Sequence, residues 1–289
     1  MTSGSRTYRD IDGWFSWTDH AMFRGILEAQ RTSPGGDLVE IGAFKGKSAV
    51  VIGDYLRPDE QFVVVDTFGD PELLGIADES SERTQGRNYF TNLSRTQFEE
   101  NYLSIHESLP TVVQALSTDV VNHVTSGAAR FIHVDGSHQY EDVADDCRSV
   151  KKLLRTDGVV VFDDWRKPAC PGVAAAIWDS ALHDGLIPVA LTPQKLYGVH
   201  GDPEPLLAAV RALVAARPQA LRIKEVDLFG RPVLLVTKTK GRRKSAPASA
   251  PQHRPPPAAT SSRSSGLRRA FIRNPATSAV ARWARSRRA

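Results

Sequence analysis

Two short apolar runs that end in carboxylates, FIHVD at 131–135 and GVVVFDD at 158–164, constrain this chain more than any other feature. A stretch of helical period joins them. Strands buried on both faces and linked by a helix make a parallel sheet, and such sheets present ligands at the carboxyl ends of their strands. Asp135, Asp163 and Asp164 are therefore expected on one rim, with His138 three residues beyond the first. Three carboxylates gathered there repel one another unless a cation neutralises them, and hard oxygen ligands suit Mg²⁺.

The same alternation runs through residues 37–239. Strand DLVEIG, helix GKSAVVIGDYL and strand QFVVVD open it. A helix at about 94–103, a short strand around 111–115 and a helix over 140–155 come next. PGVAAAIWDSALHDG (171–185) has Pro in its first turn and Gly at its end, the two signals that open and close a helix. Strand IPVAL, segment KLYGV, helix PEPLLAAVRALVAARP and the hairpin LRIKEVDLFGRPVLLVTK finish the series. The pattern predicts an α/β fold whose sheet is mostly parallel with an antiparallel end. Residues 1–36 form an N-terminal helical extension, with Phe15, Met22, Phe23, Ile26 and Leu27 near helical spacing. The irregular, Gly- and acid-rich segment 69–93 is expected to be a lid.

Residues 240–289 hold 13 of the 37 Lys/Arg and none of the 33 Asp/Glu, so the net charge of +4 is a +13 tail on a −9 body. Pro, Ala, Ser and Arg cannot bury enough apolar surface to offset chain entropy, and this basic tail is expected to be disordered. Weak contact with an anionic membrane surface through Phe271 and Trp283 ranks behind a solvated appendage. Nucleic-acid binding ranks last, because stacking aromatics are nearly absent. Cys147 and Cys170 make no disulfide framework, there is no apolar run of membrane-spanning length, and a cytoplasmic location is expected.

VEIGAFKGKSAVVIG (39–53) reads as strand, glycine turn and helix. Gly42 and Gly46 let backbone approach a ligand, and a helix N-terminus favours negative charge. The spacing is neither the dinucleotide G-x-G-x-x-G nor a P-loop. Glu40, just before the turn, can accept hydrogen bonds from a bound amine or from turn amides. Asp66 ends the next strand, where doubly wound folds commonly hold ribose hydroxyls, although an Asp there can also simply cap a turn.

Together E-I-G-x-x-x-G-x-S, V-D-G-S-H-x-Y-E and F-D-D-W resemble class I S-adenosylmethionine-dependent methyltransferases. More narrowly, they resemble the metal-dependent sugar O-methyltransferases of macrolide and related glycoside pathways. The resemblance covers about residues 37–200 and implies a doubly wound, mostly parallel seven-stranded Rossmann-like sheet with an antiparallel C-terminal hairpin. It assigns Glu40, Gly42, Gly46, Lys47, Ser48, Asp66, Ser117 and Asp135 to the methyl donor, with Asp66 on the ribose. It assigns Asp135, Asp163 and Asp164 to Mg²⁺, and His138 to deprotonation of the acceptor. Ser137 stands where other branches of the family place an aspartate, which sides the chain with the histidine branch. A small-molecule or oligosaccharide glycoside acceptor and a homo-oligomer are further implications.

Two other function classes remain open on sequence grounds. One is an iron-dependent hydroxylase, but an iron triad needs two histidines and one carboxylate, and only His138 sits beside the proposed ligands. The other is a nucleic-acid or membrane adaptor directed by the tail. His133 alternates out of phase with Ile132 and Val134 and reads as structural. Trp165 either lines the acceptor site or closes the rim. Lys195 and Tyr197 either reach the acceptor or serve an edge strand.

Overall fold

The computed structural model describes residues 6–74 and 93–239; most of the expected lid and the whole basic tail lie outside them. Among the described residues the strands are β1 (Asp37–Ile41), β2 (Phe62–Asp66), β3 (Thr111–Gln114), β4 (Ala129–Val134), β5 (Leu154–Phe162), β6 (Ile187–Leu191), β7 (Leu196–Val199), β8 (Leu221–Leu228) and β9 (Arg231–Lys238). The α-helices are α1 (Trp17–Ala29), α2 (Ala49–Gly53), α3 (Arg95–Leu103), α4 (Tyr140–Leu153), α5 (Pro171–His183) and α6 (Glu204–Ala215). Local chemistry sets several boundaries. The Ser16 and Ser94 hydroxyls accept the Asp19 and Gln97 amides at the starts of α1 and α3, and Pro171 opens α5.

The sheet runs β3-β2-β1-β4-β5-β7-β6-β9-β8. Strands β3, β2, β1, β4 and β5 are parallel, whereas β7 is antiparallel to both β5 and β6. The sheet has nine strands where the resemblance implied seven. The difference comes from the C-terminal hairpin: Ala190 and Leu191 of β6 pair in parallel with Leu234 and Leu235 of β9, which carries β8 to the edge of the same sheet. The hairpin thus extends the sheet.

Alternation along the strands separates two cores. Leu38, Phe62, Val64, Phe131, Val159, Val161 and Tyr197 face α1, α2, α3 and α6, while Val39, Ile41, Val63, Ile132, Val134, Val160 and Phe162 face α4 and α5. Helices on both faces make the sheet doubly wound, as expected. The N-terminal helix α1 packs its apolar side against the sheet. Met22, Phe23, Ile26 and Leu27 are at most 2% exposed, and α1 belongs to the same compact unit as the sheet. Helix α2 is shorter than expected, because residues 43–48 turn around the two glycines before the helix starts.

Candidate active site

The carboxyl ends of β1, β2, β4 and β5 meet on one rim, and the turn after β1 is folded against the turn after β4. Gly42 has φ +80°, its N–H donates to the Val65 carbonyl at 2.8 Å, and a Cβ there would stand 2.1 Å from the Asp135 carbonyl oxygen. The Asp135 N–H in turn donates to Ile41 O at 2.7 Å. Glycine is therefore demanded at 42 by the neighbouring backbone, a tighter constraint than the ligand approach read from the sequence. Gly46, at φ +90°, faces the Phe98 ring.

Asp66 closes the same turn. Its carboxylate accepts from Ala43 N–H (2.7 Å), Phe44 N–H (2.9 Å) and Phe68 N–H (2.7 Å). Burial pushes its pKa up while these amides oppose the shift. The turn-capping alternative is thus realised: three of the carboxylate's roughly four acceptor sites are taken, and one on Oδ1 stays open to a ligand hydroxyl. Ser48 is buried, Lys47 is half-buried, and Ser117 starts the short 3₁₀ turn Ser117–Asn122 that follows β3 beside Asp66. Below this region two buried carboxylates keep oxygens without a hydrogen-bond partner among the described residues: Glu40 Oε2 and both oxygens of Asp146. Burial raises Asp146 to about 6 and Glu40 to about 8.

The acidic rim divides into two groups. Asp164, held at φ +55°, turns its Oδ2 to His138 Nε2 at 3.1 Å and to Lys167 Nζ at 2.7 Å. Burial would raise its carboxyl, but the His138 and Lys167 hydrogen bonds outweigh that and hold it low. Asp135 and Asp163 come together with His133, their ligand atoms all within 4.8 Å. Burial and the neighbouring Asp163 hold Asp135 well above the usual carboxylate range. Burial acts on Asp163 too, yet Lys195 and His133 bring it below its ordinary value.

Lys195 explains that difference. Its Nζ lies 2.6 Å from Asp163 Oδ2 and 2.9 Å from His133 Nε2, and the residue is 1% exposed. An ammonium only donates, so His133 Nε2 accepts and its Nδ1–H donates to Glu40 Oε1 at 2.7 Å. Burial and Lys195 keep that imidazole's pKa far below its usual value, hence neutral. Sheet register builds the row: Glu40 stands beside His133, and Phe162 opposite Leu196, which brings Lys195 next to Asp163. His133 is structural as read, but as part of this polar row. Lys195 and Tyr197 do not reach an acceptor. Tyr197 is fully buried with its hydroxyl on Asp19, and β7 lies inside the sheet, so the edge-strand alternative fails as well. Trp165 is half-buried, with its indole N–H on Thr192 O at 3.1 Å and its ring edge-on to Trp178.

Residues 39–165 match the family model described as "Methyltransferase domain". This stretch is a methyltransferase domain, of the kind that takes its methyl group from S-adenosylmethionine. No curated protein sequence matches it. Among solved structures, the O-methyltransferase NovP shares 19% identity over 64% of this chain and 80% of its own, with a TM-score of 0.49. The calicheamicin methyltransferase CalS11 shares 19% over 64% and 79%, at 0.46, and the O-methyltransferase TomG from Streptomyces achromogenes 16% over 76% and 78%, at 0.36.

The rim residues fit a hard divalent ion unevenly. Asp135 is buried against Asp163, and that crowding of carboxyl groups is what a cation relieves. Asp163 gives one oxygen to Lys195, and its other oxygen accepts the Asp164 amide at 2.8 Å. Asp164 has to exchange Lys167 or His138 to join them, so the three aspartates are not assembled as one ligand set. An iron triad fits worse, since both ring nitrogens of His133 are engaged. Among the described residues no helix is long and apolar enough to cross a membrane.

Proposed function

We propose that this methyltransferase moves a methyl group from S-adenosylmethionine to a hydroxyl oxygen of a sugar or glycoside, with His138 as general base. The observation that carries this reading is the His138–Asp164 contact on the rim that adjoins the glycine turn. The sugar class is supported by the sequence signature that includes V-D-G-S-H-x-Y-E.

The proposed chemistry follows from the residues. The turn at 42–48 receives the methionine part of the donor, with the unpartnered Glu40 Oε2 suited to its ammonium group. Asp66 and Ser117 flank the positions for ribose and base. His138, with its side chain 42% exposed, is open to an acceptor from solvent, while Asp164 fixes the ring. The acceptor oxygen forms its bond to the methyl carbon as the carbon–sulfur bond breaks, and the hydroxyl proton passes to His138. The donor is already electrophilic, so alignment of oxygen, carbon and sulfur supplies most of the remaining rate. Asp135 and Asp163, with Asp164 after it changes partner, are the residues that would hold Mg²⁺. When bound, the ion supplies positive charge that makes ionisation of a sugar hydroxyl less costly.

Labelled methyl transfer from S-adenosylmethionine to a pool of glycosides tests the reading. His138→Ala should retain donor binding by calorimetry and lose about a hundredfold or more in turnover. Failure of the wild-type protein to take up S-adenosylmethionine overturns the whole reading, and near-normal turnover of the variant removes His138 from it.

A further inference from the structure

The acidic rim carries a cation of its own. Lys195 lies just before β7, whose antiparallel pairing with β5 points the start of the strand at the rim. Its ammonium contacts Asp163 Oδ2 at 2.6 Å and has the lone pair of His133 as its second partner. The group has no route to solvent: Lys195 is 1% exposed, and its Nζ lies 5.8 Å from the centres of the Phe15 and Phe23 rings. On the far side, His133 is locked by Glu40. Below, the buried Asp19 is fixed by Ser16, Thr192 and Tyr197. A lysine at the surface swings away when a metal arrives, whereas this one is held on every side.

We propose that Lys195 is a resident countercharge that weakens divalent-cation binding at the Asp135–Asp163 pair and lets the protein fold with that pair empty of metal. The inference rests on the metal assignment proposed above. A divalent ion that takes Asp163 as ligand must share the carboxylate with an ammonium already in contact with it, and like charges at such distances repel strongly where water is scarce. Removing the ammonium leaves Asp163 buried and uncompensated, and a metal ion then becomes the group that neutralises it.

The test is a Mn²⁺ titration of the full chain, followed by electron paramagnetic resonance, with thermal melts in chelator and in Mn²⁺. Lys195→Met keeps the length of the stem without the charge. It should bind Mn²⁺ about tenfold or more tightly than wild type, the order expected for loss of one adjacent charge. Its melting temperature should rise with Mn²⁺ where that of wild type scarcely moves. Lys195→Arg, which keeps the charge, should retain the weak binding. Equal or weaker affinity in Lys195→Met, in a wild type that does bind Mn²⁺, overturns the inference and leaves the metal assignment standing. Absence of binding in both proteins removes the metal assignment and the inference with it. If Lys195→Met is insoluble in chelator, recovery with Mn²⁺ supports the proposal, and insolubility in both overturns it.

Discussion

Gly42→Ala and Gly185→Ala form a matched pair that isolates how tightly the donor turn is pressed against the acidic rim. Their φ angles are nearly equal, +80° and +82°, so the conformational cost of a side chain is the same at both. For a non-glycine residue that cost is about 1–2 kcal/mol. Their surroundings differ entirely. A Cβ on Gly185 meets nothing within 4 Å, whereas one on Gly42 stands 2.1 Å from the Asp135 carbonyl oxygen and 2.5 Å from its carbon. An ordinary contact needs roughly 3.4 Å between such atoms, so one of the two turns has to retreat by about 1 Å. Neither retreats freely: Gly42 N–H is bonded to Val65 O and Asp135 N–H to Ile41 O. Overpacking of this kind adds about 1–3 kcal/mol, which puts Gly42→Ala at about 2–5 kcal/mol against about 1–2 for Gly185→Ala. A displacement of that size next to Asp135 should also cost turnover about a hundredfold. Urea denaturation of both variants gives the stabilities, and initial rates of methyl transfer give the second quantity. Equal destabilisation by the two substitutions would refute the close approach, and so would normal turnover in Gly42→Ala.

Arg130→Met should cost about 3–5 kcal/mol, because the guanidinium bonds both oxygens of Glu60 at 2.8 Å where each side chain is at most 3% exposed. Burial opposes the charge on Glu60, but Arg130 and Arg57 outweigh it and lower its pKa from 4.5 to about 2. The pair's contribution is therefore complete above about pH 5 and lost as pH falls toward 2, so the gap between wild type and variant in urea melts should narrow from pH 7 to pH 3. A gap that stays constant over this range contradicts the assignment. Asp164→Asn should leave donor binding by calorimetry unchanged and lower turnover roughly ten- to hundredfold, since it loosens the ring of His138. Unchanged turnover would show that Asp164 does not orient the base.

Features that depend on one strand and its following loop were legible in the sequence. Asp135, Asp163, Asp164 and His138 could be placed on a common rim because a buried parallel strand delivers its last residue there regardless of what surrounds it. Features that depend on pairing between distant strands were not. Lys195 reads as an acceptor contact or an edge-strand residue until β7 is known to run backwards between β5 and β6. Glu40 and His133 become partners only through the register of β1 with β4. One signal was available: both are polar residues on the same phase of otherwise apolar strands, which is unfavourable unless they satisfy each other. The polar tie between α1 and β7 was hidden in the same way, since Asp19 looks like an N-terminal helix charge until Tyr197 and Thr192 are seen to bond to it.

The reversed direction of β7 has a consequence for how such an enzyme can change. Parallel strands contribute their final residues to the pocket, where the backbone is committed to the nucleotide fold. A strand that enters from the opposite sense contributes its first residue, at the end of the short connection 192–195. Substitution at its last residue alters the charge beside Asp163 and is passed on through His133 to Glu40, so the acidic rim and the donor turn are tuned together from one short connection.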